Sequence, residues 1–240
     1  MKKITYLCMM ACLAVALAFQ SCDDGDGYSM GDFTEPQLAT VRAVSGTGFY
    51  LDCDVWGTCW PVNTDMGWYI PIDGQRVVTV FNPLWDNYGG FDHAVKILEI
   101  QNVLTKYVET VTTVEVDTIA NDVVPVAEDG ITITNGYLNV FFLQRLPFTT
   151  DVRLIYVKDD LKQTVTPAVG EDGFYHLELR CNTQADVETP GTYSMVSYSL
   201  NELNYDPSAE GIKLKVNLEG SGEQELTFHV VQEEGTSLQE

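Results

Sequence analysis

The stretch Leu38-Ala-Thr-Val-Arg-Ala-Val-Ser-Gly-Thr-Gly-Phe-Tyr-Leu-Asp52 sets the pattern of the whole chain. Leu38 to Val44 and Gly48 to Asp52 are short runs of β-branched and aromatic residues, and Ser45-Gly46-Thr47-Gly48 divides them. Such runs broken by Gly and Ser are strands joined by a turn. The pattern repeats downstream at Cys59 to Val62, Gln75 to Asn82 and the longer alternating stretch Ala94 to Thr113. It continues through Ile131 to Thr134, Tyr137 to Arg145, Asp151 to Lys158, Gly173 to Cys181, Tyr193 to Ser199, Gly211 to Leu218 and Glu223 to Val231. No segment sustains a helical period between caps, apart from a turn at Leu200 to Tyr205. Short strands at this spacing predict an all-β protein built as a barrel or a sandwich. The polar, turn-rich stretch Asp117 to Asp129, with Pro125 inside it, predicts the boundary. The strands before it suit an OB-like β-barrel over residues 37–116, and those after it suit a β-sandwich over 117–240.

Upstream of the first strand the chain begins Met-Lys2-Lys3 and runs through an uncharged apolar segment, Ile4 to Phe19. A basic start and a short apolar run are the layout of a secretory leader. The run is shorter than the roughly 20 apolar residues that a spanning helix needs. It ends in Ala18-Phe-Gln-Ser-Cys22, which resembles a bacterial lipobox: cleavage after residue 21 and acylation of the Cys22 thiol, palmitate included, would anchor the protein in a membrane. Two or three acyl chains hold a protein on a bilayer where one does not. Asp23-Asp-Gly-Asp-Gly27 opens an acidic tether over residues 22–36 and resembles the export signal that sends Bacteroidota lipoproteins to the cell-surface side of the outer membrane. The periplasmic face is the alternative location.

The chain has 35 acidic against 13 basic residues and a formal charge of −22, which leader removal makes more negative still. That surface repels nucleic acid and anionic headgroups, so neither is an expected partner. Cys8 and Cys12 leave with the leader and Cys22 takes the lipid, leaving Cys53, Cys59 and Cys181. Cys53 and Cys59 flank a short hairpin tip and are candidates for a cross-strand disulfide. Cys181, in an alternating run, reads as a small buried hydrophobe.

No nucleophile elbow, P-loop or dinucleotide fingerprint is present, so no catalytic residue and no cofactor are predicted. His93, His176 and His229 are isolated in sequence; His176 and Glu178 would share one strand face, the one pairing with the makings of a site. A calcium loop counted from Asp24 has Ser29 where glycine is required, so no metal is predicted. The distinctive side chains are aromatic. Trp56, Trp60, Trp68 and Tyr69 cluster in a loop-rich part of the first domain, with Trp85 and Tyr88 beyond. Rings of this kind make ligand platforms for a glycan or a peptide, and they also plug barrel ends.

Several words in the chain resemble those of one family. Cys22-Asp-Asp-Gly-Asp-Gly-Tyr28 through Asp32 is similar to the start of mature NigD-like lipoproteins of the Bacteroidota. Ala39-Thr-Val-Arg42, Tyr50-Leu-Asp52, Trp60-Pro-Val62 and Asp73-Gly-Gln-Arg-Val77 resemble its N-terminal domain in order. Asn121-Asp122 with Pro125, and Gly136-Tyr-Leu-Asn-Val-Phe-Phe142, which stand at 136–142 as Gly-Tyr-Leu-Asn-Val-Phe-Phe, resemble the entry and first core strand of its C-terminal domain. The paired cysteines around Trp56 and the run Val152 to Val157 depart from the family pattern. The resemblance implies an OB-like domain followed by a sandwich. It implies little about activity: the family name comes from a bacteriocin cluster in which immunity was proposed, and the expectation for this chain is a non-enzymatic surface lipoprotein that acts by protein or ligand binding. A glycan-binding accessory of polysaccharide uptake is the alternative.

Overall fold

The computed structural model describes residues 28, 33–44, 48–63, 65–145, 150–158, 167–183, 191–203 and 209–229. The leader, Cys22 and all of the acidic tether except Tyr28 and residues 33–36 lie outside the described residues.

Five strands form the first domain: β1 (Gln37–Ala43), β2 (Phe49–Cys53), β3 (Gly57–Pro61), β4 (Arg76–Tyr88) and β5 (Phe91–Asn102). They close a barrel in the order β1-β2-β3-β5-β4, with β4 pairing back onto β1. Every contact is antiparallel except β3 with β5. The closure follows from the sequence. β2 alternates buried and half-buried residues, sending Phe49, Leu51 and Cys53 inward, where they meet Val41, Cys59, Val77, Phe81 and Val95. β4, 13 residues long, pairs with β1 on one edge and β5 on the other, and its register against β5 slips twice, at Val80/Phe81 and Pro83/Trp85. Such bulges bend a strand and raise its twist, which is what a small barrel needs.

The second domain is a sandwich of two sheets. One has the order β14-β13-β11-β10-β7 and the other β6-β12-β9-β8. The strands are β6 (Leu104–Tyr107), β7 (Glu109–Thr112), β8 (Val126–Thr134), β9 (Tyr137–Arg145), β10 (Asp151–Lys158), β11 (Phe174–Asn182), β12 (Gly191–Ser199), β13 (Gly211–Leu218) and β14 (Gly222–His229). Leu138, Val140, Leu154, Leu177, Leu179, Tyr198 and Leu214 are buried between the sheets. The expected turn near Leu200 is a 3-10 turn, Asn201–Leu203. One short helix was not expected: α1 (Thr113–Val116), closed by a capping box in which Thr112 and Glu115 satisfy each other's backbone N–H groups.

The domain boundary differs from the one expected at 116/117. β6 pairs in parallel with β12, and β7 in parallel with β10, so the sandwich begins at Leu104. Alternation over Ala94 to Thr113 identifies extended chain, but period two carries no information about which sheet the chain joins. That one stretch supplies β5 to the barrel, β6 to one sheet and β7 to the other.

Candidate functional site

The barrel meets the sandwich through a buried polar cluster centred on Arg76, the first residue of β4. The tip of the β2–β3 hairpin, residues 54–56, turns tightly because Gly57 takes φ +64°. This presents Asp54 to the neighbouring domain. Arg76 is fully buried and holds Asp54 in a two-pronged ion pair at 2.7 and 2.6 Å. Its Nη1 also donates to Thr40 Oγ1 at 3.1 Å, and its Nη2 reaches Asn139 Oδ1 in β9 at 3.5 Å. From the sandwich, Thr134 Oγ1 donates to Asp54 at 2.5 Å, and Asn139 is tied to Thr134 and Ser197. The guanidinium stacks 4.8 Å from the centroid of Tyr137, whose hydroxyl donates to Gly74 O at 3.0 Å. A buried ion pair fixes geometry more than it adds stability, because desolvation offsets much of the attraction. Here it fixes how one domain sits on the other.

Beside this lock runs a groove of about 640 Å³. Val78, Gln101 and Asn102 of the barrel form one wall, and Leu104, Phe141, Tyr193 and Met195 of the sandwich form another. Phe141 and Tyr193 stack 5.0 Å apart at 15° and are 37% and 60% exposed, and Leu104 is 59% exposed. Lys106, also in the groove, is paired with Asp151 at 3.1 Å and donates to Val152 O at 3.0 Å. β6 covers only Val196 to Ser199 of β12, so β6 leaves the Gly191–Met195 half of that strand's edge uncovered above the groove. Exposed rings, aliphatic side chains and neutral amides around an open edge can hold a peptide or a small amphipathic ligand.

The four aromatic residues singled out from the sequence do not share one surface. Trp56 leans on the barrel core, 5.6 Å from Phe81 and 5.0 Å from His93, and Tyr28 of the tether lies 6.0 Å away across it. Tyr28 is tied down by a hydrogen bond to Asp86, which also pairs with His93. Trp60 and Tyr69 line a separate cleft of about 450 Å³. Trp60 packs on Phe91, while Tyr69 packs on Phe49 and donates to Asn102 at 3.1 Å. Burial pushes the Tyr69 phenol above its ordinary value. Trp68, 66% exposed, touches Tyr69 edge-on. Sequence proximity therefore gathers three of the four around one cleft and leaves Trp56 as a plug.

Cys53 and Cys59, the candidates for a cross-strand disulfide, are not bridged: both are free, buried thiols. In the β2–β3 register Cys53 faces Gly57 and Cys59 faces Leu51, so the two cysteines are diagonal neighbours. Diagonal positions lie roughly 7–8 Å apart, beyond the Cα separation a disulfide spans without backbone movement. The Cys53 thiol is pushed up, first by its hydrogen bond with Cys59 and then by burial. Burial also raises Cys181, to about 12, so this thiol is a packed hydrophobe as expected.

His176 and Glu178 do share the outer face of β11, but they do not form a pair. His176 Nε2 lies 2.9 Å from Asp172, which also accepts from Lys213 Nζ at 2.6 Å, while Glu178 pairs with Arg180. Lys213 and His176 hold the Asp172 carboxyl well below the usual range. Among the described residues no three His, Cys, Asp or Glu side chains converge to hold a metal ion.

Residues 38–103 match the NigD-like N-terminal OB domain, and residues 107–230 match the NigD-like C-terminal beta sandwich domain. The chain belongs to the NigD-like family. The two matches meet where the strand pairing passes from barrel to sandwich. Solved structures repeat the architecture. A protein of unknown function from Bacteroides vulgatus is 23% identical, with a TM-score of 0.68 over 85% of this chain and 93% of that one. A NigD-like immunity protein from Bacteroides caccae is 18% identical, with a TM-score of 0.55 over 85% and 99%. A candidate lipoprotein from Bacteroides fragilis is 14% identical, with a TM-score of 0.52 over 82% and 96%. At these identities the NigD-like likeness is one of fold. No curated protein matches the sequence.

Proposed function

We propose that this NigD-like chain is a lipid-anchored protein of the outer membrane, facing the cell surface, that acts by binding a protein and not by catalysis. The observation that carries this reading is the groove beside the Arg76–Asp54 lock, where Phe141, Tyr193 and Leu104 stand exposed between two domains held in one orientation. Cys22, acylated after leader cleavage, is the anchor, and the acidic residues behind it are the spacer. An immunity role is the specific form: the acidic protein captures a basic toxin before it reaches the bilayer, aided by electrostatic steering. The test adds the purified mature chain to bacteriocin-challenged cells of the host. Protection is expected, and it is lost in Phe141→Ala/Tyr193→Ala with folding unchanged. No protection at molar excess overturns the immunity reading. Metabolic labelling with a palmitate analogue should mark the protein, and Cys22→Ala should abolish the label.

A second reading rests on the cleft lined by Trp60 and Tyr69 with Trp68 at its side. Flat rings beside the Asn63 amide suit a glycan, as in an accessory protein of polysaccharide uptake. Calorimetric titration with envelope and dietary polysaccharides tests it, with Trp60→Ala expected to remove any binding.

A further inference from the structure

The sandwich has four edge strands, and they differ in how they are protected. β6 and β7 are four residues each, and β7 runs directly into α1. β8 breaks register against β9 between Val126 and Ile131 and carries Asp129 at φ +54°. Short strands, bulges and irregular backbone are the usual devices that keep an edge from pairing with another chain. β14 is eight residues long and unbulged, and its one positive φ, at Gly222, falls on its first residue. It pairs with β13 over eight consecutive positions without a slip, and among the described residues no strand lies along its other side.

Next to this edge the core is open. β8 and β14 end their sheets on the same side, and the seam between them is a cleft of about 560 Å³. Leu226 and Phe228 of β14 stand opposite the buried Leu214 and Ile212 of β13, so they share the inward face. They remain only half-buried because, among the described residues, nothing closes the seam over them, and Val126 and Ile131 of β8 line its other wall. The rim is acidic: Asp129, Glu219 and Glu225 line the cleft, and among the described residues no Lys or Arg does. The nearest cation to Glu225 is Lys213 at 4.0 Å, and Lys213 is already held by Asp172 at 2.6 Å.

We infer that the β14 edge is a strand-addition site for an extended segment of a partner protein in which apolar and basic residues alternate. Backbone N–H and C=O groups of the incoming strand continue the sheet beyond β14. Its apolar side chains, pointing to one face by the two-residue period, enter the seam against Leu226, Phe228 and Ile131. Its basic side chains, on the other face and at the ends, meet the carboxylates of the rim. The surface is separate from the interdomain groove and stands whether or not that groove binds.

The test uses the mature chain and an acetylated, amidated eight-residue peptide of alternating valine and lysine. A block peptide of the same composition, four valines followed by four lysines, is the control. Fluorescence anisotropy measures binding, and hydrogen exchange reports which amides are protected. The expected result is binding of the alternating peptide alone, slowed exchange confined to Gly222–His229, and roughly tenfold weaker binding in Glu219→Gln/Glu225→Gln. Both substitutions are on the surface and leave the apolar seam intact. Equal binding of the block peptide overturns the inference, because charge alone would then suffice. Protection at the groove instead of β14 overturns it as well. So does slow exchange, in the free protein, of the β14 amides that point away from β13, whether from self-association seen by sedimentation or from the chain's own residues beyond 229 covering the edge.

Discussion

The barrel and the sandwich face the same problem and answer it in opposite ways. Each strand in a sheet offers hydrogen-bonding groups on both sides, and an end strand leaves one side unpaired. The barrel removes its ends by pairing β4 with β1, so what it offers to solvent is side chains, such as Trp60 and Tyr69 at their cleft. The sandwich keeps four ends and protects three of them. Closed and open β structure therefore leave different groups to the solvent, side chains alone around the barrel and an unpaired backbone edge at β14 of the sandwich. The Arg76–Asp54 lock keeps both in a fixed relation.

The largest test of this contrast acts on the lock. Arg76→Ala leaves Asp54 buried with its cation gone and costs about 3–5 kcal/mol, the range for removing one partner of a buried pair. Urea denaturation should show that loss, and separate transitions for the two domains would show that the pair also couples them. A smaller effect falls on the open domain. A side chain at Gly211 would place its Cβ 1.9 Å from the Phe228 carbonyl oxygen. Gly211→Ala should cost about 1–3 kcal/mol, the usual range for forced overpacking, and should speed amide exchange in β14 while sparing the barrel. The smallest effect is on the surface of the closed domain. Asp92 accepts from the Thr58 hydroxyl and backbone N–H, each at 2.7 Å, and these bonds hold its carboxyl below the ordinary value. Its contribution to stability is present above the unfolded value of about 3.9 and is lost as pH falls through the lowered folded one. In Thr58→Ala, an NMR titration should find the Asp92 carboxyl moved up towards the ordinary value and the acid limb of the stability curve correspondingly flatter.

The strands were legible in the sequence because alternation is a local signal. Leu38 to Val44 and Gly48 to Asp52 read as β1 and β2, and their inward residues are those the two-residue period selects. The order of barrel and sandwich was legible too, through turn-rich breaks and family-like words. The assignment of β6 and β7 to sheets was not, since their partners Val196 and Ile155 lie far along the chain. The lock was equally hidden. Arg76 precedes an apolar run and Asp54 sits at a hairpin tip, places where charges ordinarily face water, and their pairing exists only once the barrel closes. Phe141 and Tyr193 are illegible in the sequence for a different reason. The run Tyr137 to Leu143 is apolar on both faces apart from Asn139 and reads as core, whereas Phe141 on its outward face borders the groove. The missed signal was that loss of alternation, which marks a strand with something to cover on each side.

The continuous passage from β5 through β6 into β7 also sets an order in time. A chain emerging from its N-terminus can finish the barrel once Asn102 is available, because the β4–β5 ladder ends there. Leu104 to Thr112 must then wait for β10 and, later still, for β12 before either has a neighbour. Such distant pairings are slow, and a half-made sandwich exposes strand edges while it waits. The first domain is thus a finished fold holding an unfinished one, and the interval between them is when this protein is most vulnerable to proteases and to its own copies.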